Sequence, residues 1–524
     1  MSAAARLCIV VGMWGALTAC TMVGPDFETP ESSVEEDWSA RDDRLSSTSV
    51  DHDTWWTHFN DPQLTTLIED ARNHNLRLQL AGLRVYEARA TLGRVVGNLY
   101  PQVQRSRAAA TTIQLSENAD PISTLPSVVG DATDNNFENY GFGIDAAWEL
   151  DFWGRFRRGV AAADANLAGA VDDYEAVLVT LAGEVGAAYV LLRTLEERLT
   201  YAERNVAIQQ RSLEIAQVRF DNGLTTELDV QQARVLLRNT ESRIPVLRAG
   251  ISQVRHSLSV LLGRPPTELA DLLGERGTIP KGPDTLDVGV PADLLRRRPD
   301  VRRAEHIAAS QSELIGVARA DMYPAFRLLG SVGYVADSTS DLFDSDSVTG
   351  IGGFGFMWKF LNYGRLRNNV RIQDARFQQL VTAYQLTVLG AAREVEDALA
   401  GYLGAQEEVR LKSDGVVAAE RAVDLALTQY RDGVTSYTTV LDTQRVQLLV
   451  QDTLVRARGK VALNLIAAYK ALGGGWGLRA QGELIPRDVR LEMEKRTNWG
   501  ELLKAEEVAP VPPNERGRWR GPDR

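Results

Sequence analysis

Trp148 and Trp358 sit in matching contexts, and the residues following each one match at a constant separation. Glu184–Val185 recurs as Glu394–Val395, Gly154–Arg155 as Gly364–Arg365, Ala188 as Ala398, and Gly223 as Gly433. Leu262–Gly263 recurs as Leu472–Gly473, and every pair stands 210 residues apart, as 148 and 358 do. Upstream, Gly93, Tyr100 and Pro101 recur as Gly316, Tyr323 and Pro324, now 223 apart. The first copy therefore holds 13 extra residues between 102 and 147. The chain is a tandem duplication of one long unit. A period near 210 is too long for a solenoid, so two copies are expected to pack side by side into one body.

Each copy opens on a helical pattern. In the first, Leu64, Leu67, Ile68 and Ala71 follow i, i+3, i+4, i+7 spacing, and the pattern runs from Pro62 towards Leu99 before Pro101 stops it. Period-two alternation follows. Tyr140, Phe142, Ile144, Ala146, Trp148 and Leu150 share one parity. So do Phe326, Leu328, Val332 and Tyr334, and then Phe354, Phe356, Trp358 and Phe360. Pro101–Ala110 reads as a weaker partner strand, with polar loops over Gln114–Asn136 and Asp337–Val348. Aromatics on one face, with glycine and polar residues on the other, suit strands of a membrane barrel. Each copy supplies one hairpin, and four strands cannot close a barrel. Open edges in lipid would leave backbone groups unsatisfied, so neighbouring chains must complete the wall.

After each hairpin comes a very long helical stretch. Gly154 to Asn222 holds no proline, and at 1.5 Å per residue it spans roughly 100 Å. Asn222–Gly223 and Asp432–Gly433 then turn the chain. The first return helix carries a coiled-coil seam from Val230 through Leu237 and Leu247 to Leu261, with Pro245 inside it as a predicted kink or break. The second, Val440 to Leu472, places Gln447 and Asn464 in its seam. Gly263–Pro291, rich in proline and glycine, joins the copies, and the pattern degrades after Gly475.

The N-terminus pairs Arg6 with a short apolar core and small residues up to Cys20, which reads as a secretory signal. Leu17-Thr18-Ala19-Cys20 resembles the bacterial lipobox, which implies cleavage before Cys20 and acylation of its thiol. A plain secreted protein would instead keep Cys20 as an unpaired thiol, since Cys8 leaves with the signal. No stretch after Cys20 is expected to approach the apolar run that a membrane helix needs. The formal charge is −12, and no broad basic patch is present for nucleic acid; Arg296–Arg297–Arg298 reads as a solvated or acid-paired helix start.

Motifs for chemistry are lacking. His52, His58, His74, His256 and His306 show no metal-ligand spacing, and no nucleophile elbow exists. Gly350-Ile351-Gly352-Gly353-Phe354-Gly355 matches a dinucleotide fingerprint but lies inside an alternating strand, where that chemistry has no helix to use. Asp337, Asp341, Asp344 and Asp346 read as a solvated loop rather than a calcium site. Neither enzyme activity nor a cofactor is expected.

Combined motifs point to a family. Cys20-Thr21-Met22-Val23-Gly24-Pro25-Asp26-Phe27, then Trp55-Trp56, Phe59 and Asp61-Pro62, resembles the lipoprotein (NodT-like) branch of the TolC-like outer-membrane efflux proteins. The run from Pro291-Ala292-Asp293-Leu294-Leu295 through Arg296-Arg297-Arg298-Pro299-Asp300 to Glu305 resembles that family's mid-chain signature, and Tyr100-Pro101 and Tyr323-Pro324 match it too. The resemblance implies a mainly α fold with a small β part. Long coiled-coil hairpins would form a periplasmic α-barrel, and a homotrimer would close a twelve-strand barrel in outer-membrane lipid of a Gram-negative cell. It divides the chain into a signal peptide (1–19), a lipidated arm (20–62), a first repeat (63–263), an equatorial linker (264–290), a second repeat (291–473) and a C-terminal equatorial segment with a disordered tail (474–524).

It also implies partners and roles. A periplasmic adaptor and an inner-membrane transporter would feed the duct, the adaptor docking at a tip built from Gly223-Leu224-Thr225 and Gly433-Val434-Thr435. Asp229 and Tyr430 match positions that form a closing hydrogen bond in some members, and Asp442 and Arg445 lie in a run resembling the constriction segment. Thr439 replaces an aspartate of some members, and Thr435 an arginine, so fewer charges would hold the gate. As a mere surface pair, Asp442 and Arg445 would contribute only about 0.3 kcal/mol. The expected function is the exit duct of a tripartite efflux pump for drugs or toxic compounds. The competing class is a lipid-anchored coiled-coil tether that forms no pore.

Overall fold

The computed structural model describes residues 22–31, 35, 37–46, 53–114, 116, 136–289, 297–475 and 483–503. The signal peptide, Cys20, most of the first polar loop, residues 291–296 of the basic signature and the tail from 504 lie outside the described residues. In chain order the elements are β1 (Leu45–Ser46), α1 (Pro62–His74), α2 (Leu76–Val96), β2 (Val103–Gln114), β3 (Asn136–Leu150) and α3 (Arg155–Asp221). The first copy returns through α4 (Glu227–Glu241) and α5 (Arg243–Leu261), and the linker holds α6 (Ala270–Leu273) and β4 (Leu286–Asp287). The second copy runs through α7 (Pro299–Ala320), β5 (Ala325–Ala336), β6 (Val348–Met357), α8 (Arg365–Arg431) and α9 (Tyr437–Ala471), followed by α10 (Arg487–Arg496).

The duplication is visible in the helices. α3 and α8 each run 67 residues and begin at Arg155 and Arg365, the two arginines paired by the repeat. Gly154 (φ +76°) and Gly364 (φ +82°) start them in the left-handed region, which carries little steric cost for glycine. Each then ends at a glycine turn. The return helices differ for a covalent reason. α9 is continuous, whereas the first copy breaks at Ser242 between α4 and α5. Pro245 sits in the first turn of α5 and has no N–H to offer the Glu241 carbonyl one turn back; the second copy has Val455 at that place.

The four strands form one antiparallel sheet in the order β2-β3-β5-β6, so the hairpins of the two copies join edge to edge. β1 and β4 pair separately, in parallel, tying the N-terminal arm to the linker. The sheet caps one end of the long helices, and both glycine turns lie at the other.

A belt of packing surrounds the middle of α3. Trp55 is fully buried and stacks on Tyr469 of α9, with ring centroids 5.6 Å apart. Tyr189 donates from its hydroxyl to Asp61, the residue that also caps α1 through the Gln63 and Leu64 amides. Arg193 and Glu196 pair at 2.6 Å inside this belt, and Arg255 joins Glu196 from α5.

Several expectations require correction. The segment taken into the arm (20–62) folds at Trp55–Phe59 into a 3-10 turn, because Trp55, Trp56 and Phe59 are core residues. The helix expected from Pro62 towards Leu99 breaks at Asn75, whose backbone is extended and whose side-chain Oδ1 caps α2 by accepting from the Leu78 amide. Asn75 Nδ2 also donates to the Leu261 carbonyl, so the break is held by α5. Beyond Gly475, α10 forms where no pattern was read. The aromatic run of the second copy leaves the sheet at Met357, before Trp358 and Phe360.

One further expectation fails. α3 contains a window long and apolar enough to cross a membrane, with mean hydropathy 1.6. Most of that window (61%) is buried inside the protein, packed against the neighbouring helices. Its hydrophobicity serves the core. The acid-paired reading of the basic run holds at Arg298, which bonds Asp300, Glu394 and the Ala471 carbonyl and so joins α7 to α8 and α9.

Candidate functional site

The two ends of the molecule carry the features that could serve transport. At the helical tip, each long helix closes with the same turn. Gly223 (φ +72°) donates to the Phe220 carbonyl, and Leu224 to that of Arg219. Gly433 (φ +77°) donates to the Tyr430 carbonyl, and Val434 to that of Gln429. The Leu224 and Val434 bonds are of the 6→1 kind, and with the two glycine bonds inside them they satisfy carbonyls that the helix end would otherwise leave open. The turns leave Leu224 and Val434 among the most exposed apolar side chains, at 66% and 76%.

Tyr430, at the end of α8, donates from Oη to Asp229 Oδ2 over 3.2 Å. Thr225 also donates to that carboxylate, so one oxygen of Asp229 gathers the first turn and the second helix. Two residues that sequence reasoning missed complete the arrangement. Arg219 lies over the Tyr430 ring at 4.8 Å and donates to the Arg431 carbonyl at 3.0 Å. Tyr437 meets Tyr430 edge-on, with centroids 5.2 Å apart. The repeat offers a signal for Arg219, because its mate is Gln429: the two tips are not chemically alike.

Beneath the tyrosines lies a small apolar cluster with Ala216, Val230, Leu236, Val440 and Leu441. Burial pushes the Tyr430 phenol above its ordinary value, and the nearby Asp229 adds to the shift. Burial raises Tyr437 further. Asp442 and Arg445 are not drawn into the cluster. They pair along α9 at 3.7 Å, and both are exposed. Thr435 and Thr439 hydrogen bond to each other at 3.0 Å.

At the opposite end, the sheet presents two unlike faces. Register places Ile144 opposite Val332 and Trp148 opposite Leu328, with Phe354 beyond Leu328. These side chains, with Phe142 and Phe356, form a broad exposed apolar face. The other parity carries Arg105, Asp145, Glu149, Arg327 and Ser331. Arg105 pairs with Asp145 at 2.9 Å, Ser331 bonds the same carboxylate, and Arg327 pairs with Glu149 at 3.0 Å. Apolar on one side and charged on the other is the division a wall between lipid and water requires. Among the described residues β2 and β6 each have one partner strand, so the sheet ends in two open edges.

The N-terminal arm is clamped beside this sheet. Val23 donates to the Trp153 carbonyl, and buried Arg158 bonds Asp26 and Glu313. Gly24 (φ +115°) lies so close to Gly316 that a Cβ there would come within 2.5 Å of the Gly316 Cα. Cys20 lies outside the described residues, and the arm resumes at Met22, packed on Gly154. No group of side chains suited to a metal occurs among the described residues.

The family model described as outer membrane efflux protein matches residues 67–264 and 290–474, one stretch for each copy. The pyoverdine export outer membrane protein OpmQ of Pseudomonas putida is 32% identical over 430 residues, covering 80% of this chain and 88% of that protein. The cation efflux system protein CusC of Escherichia coli is 27% identical over 479 residues, covering 88% and 97%. Among solved structures, the outer-membrane channel OprN superposes with a TM-score of 0.79 at 32% identity, covering 87% of this chain and 99% of that one.

Proposed function

The chain belongs to the outer membrane efflux protein family, and from that premise we propose that it is the exit duct of a tripartite efflux pump. Three copies close a twelve-strand barrel in the outer membrane and a helical barrel below it. A lipid on Cys20 anchors the clamped arm to the same bilayer. An adaptor docks at Gly223, Leu224, Thr225, Gly433, Val434 and Thr435. The duct conducts passively in this reading, the adaptor and the inner-membrane transporter delivering what passes through it.

In this reading Asp229 and Tyr430 latch the resting tip, with Asp442 and Arg445 lining the opening. Carrying the proposal is one observation: the sheet is apolar on one face, charged on the other, and open at both edges. A four-stranded sheet with unpaired edges is untenable in lipid alone, and a tether without a pore has no use for the charged inner face. Purified protein reconstituted in planar bilayers is expected to raise conductance and to run as a trimer. A monomer that never inserts would refute the proposal.

A further inference from the structure

The charged face of the sheet is not balanced. Its parity in β2 carries Arg105 and Arg107, and the facing parity of β3 and β5 carries Asp145, Glu149 and Arg327. Three arginines therefore stand against two carboxylates on this face of the described strands. The chain as a whole is acidic, with a formal charge of −12, so the excess is local.

The duplication shows where the excess arises. Val103 and Ala325 occupy equivalent places, 222 residues apart, because they face the repeat mates Ala147 and Met357. Arg105 and Arg327 are mates by the same offset. Their acidic partners Asp145 and Glu149 lie on β3, and 210 residues on the second copy has Gly355 and Lys359 instead. The second copy keeps the arginine without the acid, so Arg327 draws on Glu149 of the first copy at 3.0 Å. Glu149 also takes Arg155 at 3.1 Å. Asp145 likewise takes Arg105 at 2.9 Å and Arg107 at 3.8 Å. Each carboxylate faces two guanidiniums.

Exposure sharpens the imbalance. The side chains of Asp145 and Glu149 are 16% and 13% exposed, whereas those of Arg105 and Arg107 are 70% and 62% exposed. Asp145 is covered further by the Ser331 hydroxyl, which donates to it. Across the sheet from Arg107 come Gly143 and then Gly333, so no side chain rises from the face beside it. A Cβ on Gly333 would collide with the Phe142 carbonyl oxygen, which keeps that place clear. A solute passing this face meets guanidinium first.

We infer that Arg105 and Arg107 form a cationic collar inside the duct that favours anionic cargo, molecules bearing carboxylate, sulfate or phosphate groups. The inference rests on the proposed duct and gives it a substrate class. Repeated around the barrel, the excess charge concentrates anions, and low-dielectric walls focus its field. Guanidinium also matches carboxylate and phosphate oxygens in paired hydrogen bonds. Arg107, with the longer contact to Asp145, is the better placed to turn towards a passing anion.

Block of the current by inorganic tripolyphosphate, added to each side of a planar bilayer holding the full-length protein, tests the collar. At low salt the parent is expected to be blocked, and raising salt to about 1 M, where the screening length is about 3 Å, is expected to relieve the block. Arg107→Gln is expected to need about tenfold more tripolyphosphate, and the double change with Arg105→Gln more still. Asp145→Asn, which removes a negative charge from the same place, is expected to be blocked at lower concentration. A conducting Arg107→Gln protein blocked as readily as the parent overturns the collar, and so does a conducting parent that ignores tripolyphosphate. A parent that never conducts refutes the duct itself.

Discussion

Tyr430 reaches from the end of α8 to Asp229 on α4, and its 3.2 Å hydrogen bond joins the second helical hairpin to the first. Deleting the hydroxyl while keeping the ring isolates that link. Tyr430→Phe is expected to weaken the latch by about 1.5–3 kcal/mol, the range for a hydrogen bond to a charged group. Single-channel recording should show a resting conductance several-fold above that of the parent. Equal conductance would remove the pair from the gate.

Arg219 acts on the same tyrosine through its ring face and on the second tip through the Arg431 carbonyl. Arg219→Ala is expected to raise resting conductance, with a loss of about 1 kcal/mol from the cation–π contact. Combined with Tyr430→Phe it should add less than its separate effect, because both changes act on one side chain. Strict additivity in the double variant would show that the two residues act independently.

The tip should respond to alkali. Burial holds the Tyr430 and Tyr437 phenols above the ordinary value of 10.0. A raised folded pKa contributes stability that is complete below 10.0 and lost as pH climbs through the folded values. Conductance is therefore expected to stay flat from neutrality to about pH 10 and to rise beyond it. The Tyr430→Phe variant should show a smaller alkaline rise. Opening well below pH 10 would contradict this assignment.

Asp442 projects into solvent from α9 and pairs there with Arg445. Its importance, if it lines the opening, comes from place rather than from bonding. Asp442→Ala is expected to change thermal stability by only about 0.5 kcal/mol or less, as for an exposed pair, yet to widen the resting channel. Unchanged conductance would leave it a surface residue.

Pro245 separates α4 from α5 where α9 runs unbroken. Pro245→Val, the residue of the second copy at that position, is expected to restore an amide bonded to the Glu241 carbonyl. Hydrogen exchange at residue 245 should then be as slow as at Val455. Fast exchange at residue 245 would mean that the break is imposed by packing rather than by proline.

Much of the molecule follows from its residues in order. The proline-free stretch after Gly154, the glycine turns and the period-two alternation locate the long helices and the parity of the strands, because these depend on local backbone preference and on which face is apolar. Asp229 and Tyr430 match positions of a family pattern, and neither periodicity nor composition pairs them. Tertiary structure decided the rest. α3 is apolar enough for a bilayer but spends that hydrophobicity on its neighbours, a choice invisible to hydropathy. Trp55 becomes core only because Tyr469 arrives beneath it, and Asn75 breaks a promising helix because Leu261 offers it a carbonyl. Periodicity reports that a face wants cover; which distant segment covers it, and which flank stays bare, is settled only when the two copies meet.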